Sequence, residues 1–328
     1  MMLPSFRKIL ILVGCLGMAG LLSLPWLWPG GERARTGEDA LRTVPTPADC
    51  RPCHEQVWRE WSASPHAQAW VSDEVQGAFR HFGHDRQCES CHAPQPVFQT
   101  GLNQPVALRV ADRETGVNCL SCHALPDGRV AARHTLPDAP CQPVETPELA
   151  TSGHCAGCHT AIHRDWQASP YSAEGKVCQD CHLPPDADRT HGRSHACVGS
   201  HDPSLVRSGA QMAVERVGQE LVVAVHNHAT GHNFPGERHN RILLLQVIER
   251  RADGTITLSE QRTIKAITPF RGESSAEQIR PRETFTARFP VVQPPVVADI
   301  RLLYKAFPWY ADRDALVVHQ KLFELKED

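Results

Sequence analysis

The chain has 328 residues, a formal charge of −3 with histidine neutral, 26 prolines and few aromatics. That length suffices for two ordinary domains, while abundant proline and sparse aromatics argue against one large aliphatic core. A near-neutral charge without a long Lys/Arg block excludes a nucleic-acid or anionic-lipid footprint.

Residues 1–30 read as a signal anchor. Arg7 and Lys8 precede Ile9–Trp28, twenty residues without a charge. As a helix at about 1.5 Å per residue, that run spans roughly 30 Å of hydrocarbon. The basic flank holds the N-terminal side in the cytoplasm, so the chain from residue 30 onward is exported. No A-x-A cleavage site stands near Pro25–Gly31, and Trp26 and Trp28 sit where an interfacial belt belongs. Leu12–Cys15 resembles a lipobox, but the apolar run continues for thirteen residues past Cys15, where a lipoprotein has a polar tether. The anchor is therefore preferred over a cleaved or lipidated form. The expected location is the periplasmic side of the inner membrane, held by residues 9–28, with residues 31–47 as a linker.

Residues 48–208 hold ten of the 13 cysteines in one pattern, C-x-x-C-H, at Cys50–His54, Cys88–His92, Cys119–His123, Cys155–His159 and Cys178–His182. Two thiols three positions apart can add to the two vinyl groups on one edge of a porphyrin, and the following histidine is carried beneath the iron. Zinc needs pairs of pairs and has no use for a histidine after every one; a redox dithiol has none either. Behind an export signal, scattered cysteines would mean disulfides, which this regularity excludes as the main use. The expected cofactors are five covalent haem c groups, on Cys50 and Cys53, Cys88 and Cys91, Cys119 and Cys122, Cys155 and Cys158, and Cys178 and Cys181. His54, His92, His123, His159 and His182 are the proximal ligands. So short and proline-rich a segment cannot wrap five porphyrins in a conventional core. The macrocycles must be much of the core, close enough to pass electrons along a relay.

Two of the motifs open a longer repeat: CRPCHEQVWREWSASPH at 50–66 and CAGCHTAIHRDWQASPY at 155–171. A short helix, EQVWREWSA, is expected after His54, stopped by Pro65. Trp61 is seven residues after His54, on one helix face, and so is Trp166 after His159; each is expected beside its own proximal ligand or haem, or as ordinary core filler. His66 is twelve residues from His54, about 18 Å along if helical. It cannot readily reach the far side of its own iron and is a candidate distal ligand for a neighbouring haem. The second repeat ends in Tyr171, so one haem receives another histidine, a phenolate or nothing, and an open iron would make Tyr171 a catalytic candidate.

The C-x-x-C-H…W-x-x-S-x-H arrangement, with CESCHAPQPVF and ETGVNCLSCHALPDGRV, resembles the multihaem cytochrome c family around the tetrahaem cytochrome that partners hydroxylamine oxidoreductase. The resemblance covers roughly residues 48–205. It implies that His66 ligates a haem other than its own. HGRSHACVGSHDP at 191–203 resembles a histidine-bearing loop of those relatives and makes His195 and His201 candidate distal ligands, with His191 in the same loop. His134 is a further candidate, while His81, His84, His154 and His163 rank lower. Cys197–His201 also looks like a sixth motif lacking its second cysteine, where a single-thioether haem is the less favoured reading. A disulfide between Cys141 and Cys197 is the other use for those spare thiols.

From about residue 209 to 328 the pattern changes to alternating β-type runs, with Ala252–Gly254 as a hairpin turn. The expectation is a β-sandwich of about seven strands, and an α+β chain overall. The loop NHATGHNFPGERHN carries His228, His232 and His239. It reads either as a structural cap or as bringing His232 to a haem iron or a substrate pocket.

The function expected is a membrane-anchored periplasmic pentahaem cytochrome relaying electrons between periplasmic or membrane redox proteins. The alternatives are a reductase or oxidase of a small nitrogen or sulfur compound at one open haem, and a quinol dehydrogenase. A docking role for the β-rich part adds to any of these.

Overall fold

The computed structural model describes residues 46–186, 192–236, 241–265, 278–292, 296–307 and 309–326. The expected anchor at 9–28 lies outside them. Among the described residues no helix is long and apolar enough to cross a membrane.

The first part of the chain is short helices joined by turns: α1 (Pro47–Cys50), α2 (Glu55–Ser62), α3 (Asp73–His81), α4 (Arg86–His92), α5 (Val97–Thr100) and α6 (Cys119–His123). A two-stranded parallel pair follows, β1 (Val130–Ala132) with β2 (Pro143–Glu145). Then come α7 (Thr160–Gln167), α8 (Pro170–Ala173), α9 (Cys178–His182) and α10 (Pro203–Gly209).

Local chemistry sets the helices that carry motifs. Asp85 caps α4, its carboxylate accepting from the Gln87 amide at 2.8 Å. Asn118 and Ser121 cap α6 reciprocally, each side chain accepting the other's amide, at 3.0 and 3.1 Å. In α9 the Asp180 carboxylate accepts from the Val177 amide at 3.1 Å. One helical turn then puts both cysteines of a C-x-x-C pair on the same face. The first and fourth motifs differ: their histidines, His54 and His159, are the N-cap residues of α2 and α7.

The rest is β-rich. Strands β3 (Ala210–Val217), β4 (Glu220–Asn227) and β7 (Thr284–Pro290) form one antiparallel sheet in the order β3-β4-β7. Strands β5 (Ile242–Arg250), β6 (Ile256–Lys265), β8 (Val296–Lys305) and β9 (Leu316–Leu325) form a second, in the order β6-β5-β8-β9. The β5–β6 hairpin turns through Gly254, whose φ of +86° suits a residue without a Cβ.

Aliphatic burial is divided unevenly. The larger cluster packs Val214, Leu221, Val223 and Phe289 of the first sheet against Leu245, Val247 and Ile300 of the second. Another joins Val206, Phe234, Leu243, Leu302 and Tyr304. Every residue in both clusters is numbered 206 or higher. In the motif-bearing part the buried apolar residues are mostly alanines, with Phe79, Val97 and Val106. Helices α2 and α7, both amphipathic, contain no fully buried residue.

Candidate haem centre

Three motif histidines are held by a backbone carbonyl. The Nδ1–H of His92 donates to Ala69 at 2.5 Å, that of His123 to Ala131 at 2.8 Å, and that of His182 to Val198 at 2.6 Å. A ring that donates from Nδ1 leaves Nε2 as the basic nitrogen, the form an iron ligand needs. Ala131 is the middle residue of β1, so the strand supplies the carbonyl that His123 meets.

An iron held at about 2 Å from each of two imidazole nitrogens sets the ring centroids roughly 6 Å apart. Three proximal histidines have such a partner. His66 faces His159, His195 faces His123 and His232 faces His182, each with centroids 6.3 Å apart and interplanar angles of 39°, 28° and 11°. His195 donates from Nδ1 to the Arg193 carbonyl at 2.9 Å and His232 from Nδ1 to the Asn233 carbonyl at 3.0 Å. Burial, then the neighbouring His159, His182 and His92, pushes His66 down to about 4, so its imidazole is neutral at pH 7. Spacing alone does not make a site. His226 and His228 also stand 6.3 Å apart, at 53°, in a pair that contains no motif histidine.

Other histidines are placed elsewhere. His201 lies against Arg241, Nε2 to Nη2 3.4 Å, and near the Phe307 ring. Burial and then Arg241 lower its pKa. His134 is exposed in the turn after β1. His191 and His239 lie outside the described residues. Cys141 and Cys197 are both free thiols, so the disulfide expected between them is absent. Burial pushes the Cys197 thiol up to about 12, with Cys122 beside it. His232, read from the chain either as part of a structural cap or as reaching a haem iron or a pocket, is the loop histidine that faces His182.

The surroundings fit a prosthetic group. Thiols of different motifs lie close enough to shift one another's ionisation: Cys50 and Cys119, Cys91 and Cys158, and Cys155 and Cys178. Cys122 sits close enough to raise both Cys155 and Cys158. The His154 ring, just ahead of Cys155, has Nδ1 and Nε2 both buried without a hydrogen-bond partner. Such an orphan costs about 1–3 kcal/mol unless something fills the space beside it. Amphipathic helices with no fully buried residue, in a stretch without an aliphatic cluster among the described residues, give the same indication.

The repeat has a structural counterpart that differs from the expectation for its tryptophans. The Trp61 indole donates to the Val117 carbonyl at 2.9 Å, and the Val117 amide donates to the His66 carbonyl at 2.9 Å. In the second copy Trp166 donates to the Lys176 carbonyl at 2.9 Å, and the Lys176 amide to the Tyr171 carbonyl at 3.0 Å. Val117 and Lys176 each stand two residues before a motif cysteine, Cys119 and Cys178. Each repeat thus pins the chain entering another motif, the third and the fifth. The indole N–H is committed to that carbonyl, and Trp61 also packs on Trp58 at 5.0 Å.

Residues 49–124 match the family described as cytochrome c554 and c-prime. With the five motifs, this supports a multihaem c-type cytochrome. Among solved structures, a penta-haem cytochrome c552 from Thermochromatium tepidum superposes with a TM-score of 0.68 at 17% identity, covering 86% of this chain and 99% of that one. It shares the fold. A structural-genomics target named SoR45 aligns with a TM-score of only 0.22 at 10% identity over 37% of this chain and 89% of that one. No curated protein matches the chain.

Proposed function

We propose that the chain carries five haem c groups and relays electrons between periplasmic or membrane redox proteins, anchored by residues 9–28 on the periplasmic side of the inner membrane. The observation that carries this reading is the three facing imidazole pairs, each with one motif histidine and centroids 6.3 Å apart. A haem c held between two imidazoles takes up and releases one electron without exchanging a ligand.

The residues of the chain supply attachment, orientation and order. Thiols close enough to shift one another's ionisation support a first motif beside the third, a second beside the fourth, and a fourth beside the fifth. Cys122 adds a third-to-fourth contact. The fourth motif is then the junction of the relay, and His66, which faces His159, is the ligand at that junction. The β-rich part, read as a β-sandwich, is more than a cap, because its loop delivers His232. The Thermochromatium structure is that of a penta-haem cytochrome, which supports a count of five.

The test uses the full chain solubilised in detergent. Intact mass and a pyridine haemochrome assay are expected to return five haems, with His66, His195 and His232 variants each opening one iron to cyanide. A count below five refutes the pentahaem reading. A high-spin haem in the unaltered protein that binds cyanide or nitric oxide would favour catalysis at an open iron over simple relay.

A further inference from the structure

His232 reaches the fifth motif from a loop that follows β4, so something must hold two separate parts of the chain in register. The loop itself is braced from below. Asn227, fully buried, donates from Nδ2 to the His232 carbonyl at 3.0 Å and the Ile279 carbonyl at 2.9 Å. Thr230 donates its hydroxyl to the His232 carbonyl at 2.9 Å.

The seat on the other side is where the repeat loses its histidine. The Tyr171 hydroxyl donates to the His228 carbonyl at 3.1 Å. Gly231 lies against the same ring: a Cβ there would stand 3.5 Å from Tyr171 Cβ and from Trp166 Cδ1. The Arg282 guanidinium lies over the Tyr171 ring at 4.9 Å and pairs with the Glu174 carboxylate at 2.6 Å. Arg282 is rooted at the base of the loop, its amide donating to the Asn227 carbonyl at 3.0 Å. Its φ is +63°, a left-handed conformation that glycine adopts without penalty and arginine does not. A strained arginine whose side chain makes two contacts across the boundary points to those contacts as the reason for it.

We propose that Tyr171, Glu174 and Arg282 are positioning residues that seat the 228–236 loop and hold His232 opposite His182. Through them the β-rich part sets the coordination, and with it the potential, of the fifth haem. The inference rests on the haem reading above. It explains why the second repeat ends in tyrosine: the ring at that position holds a ligand-bearing loop, whereas His66 is itself the ligand.

The experiment compares His232→Ala, Arg282→Gly, Arg282→Lys and Tyr171→Phe in the detergent-solubilised full chain. Ferric spectra, cyanide binding, haem midpoint potentials and thermal unfolding are read for each. His232→Ala is expected to convert one haem wholly to a high-spin, cyanide-binding form. Arg282→Gly is expected to convert part of the same haem population and to move its midpoint in the same direction, although glycine relieves the left-handed residue. Tyr171→Phe should give a smaller conversion, and Arg282→Lys, which keeps the charge facing Glu174, should restore most of the low-spin signal. If His232→Ala opens a haem while Arg282→Gly and Tyr171→Phe retain the unaltered spectrum and potentials, the clamp is refuted and the ligand reading stands. If His232→Ala changes nothing, the ligand reading fails and the clamp falls with it.

Discussion

Residues 50–66 and 155–171 share their cysteines, first histidine, tryptophan and Ala-Ser-Pro ending, and they make the same two contacts with the chain ahead of another motif. They part at the last residue. His66 is half-buried and faces His159. Tyr171 is half-buried too, but its hydroxyl donates to the His228 carbonyl and Arg282 covers its ring. In both copies the backbone at that position is held alike, so the difference lies in the side chain and in what the fold sets beside it. The comparison teaches that a duplicated unit can keep its scaffold role, gripping the next motif, while its ligand role passes to another part of the molecule.

The largest effect expected from breaking this comparison is at the ligand. His66→Ala should turn one low-spin haem high-spin and cyanide-reactive, whereas Tyr171→His should leave every haem low-spin, because His232 already faces His182. Ferric electron paramagnetic resonance of both variants checks the pair. A low-spin spectrum in His66→Ala would remove His66 from the ligand set.

Glycines at equivalent positions sharpen the contrast next. Gly116 and Gly175 each precede the gripped residue and have φ of +59° and +75°. A Cβ on Gly116 would stand 2.4 Å from the His66 carbonyl oxygen and 2.7 Å from that of Ala67, whereas one on Gly175 would meet nothing within 4 Å. Gly175→Ala therefore carries only the left-handed penalty of about 1–2 kcal/mol, and Gly116→Ala should cost roughly 3 kcal/mol or more as the backbone is forced apart. Equal losses in denaturant melts would mean that the first grip is as loose as the second.

The smallest difference is at the indoles. Trp61→Phe removes a part-buried hydrogen bond and Trp166→Phe an exposed one. Losses of about 1–2 kcal/mol and below about 1 kcal/mol follow, since a buried carbonyl left without its donor has no water to replace it. Thermal unfolding of the two single variants, with the haem complement held constant, measures the gap.

Much of the centre was legible in the chain. Five identical C-x-x-C-H spacings, and the absence of a large aliphatic core in that stretch, are local or compositional facts, and the buried clusters indeed contain no residue before Val206. His66 was picked out by its place in the repeat and His195 by its loop, and each faces a motif histidine. The tryptophan hydrogen bonds were not legible, because the carbonyl that Trp61 reaches is 56 residues away and any backbone offers one. His201 was picked out by the same loop, and its ring lies against Arg241 and Phe307, distant in the chain.

By itself the sequence determined where haem can attach, which histidine follows each attachment, and where the chain turns from motif-bearing helices to alternating strands. These are decided by covalent spacing and by periods of two to four residues, which act within a single turn or strand. Only the tertiary structure decided which histidine faces which across an iron-sized gap, which motifs are neighbours, and that Tyr171 meets the loop carrying His228 and Gly231. Those depend on side chains tens of residues apart meeting within a few ångströms, and no local pattern records such a meeting.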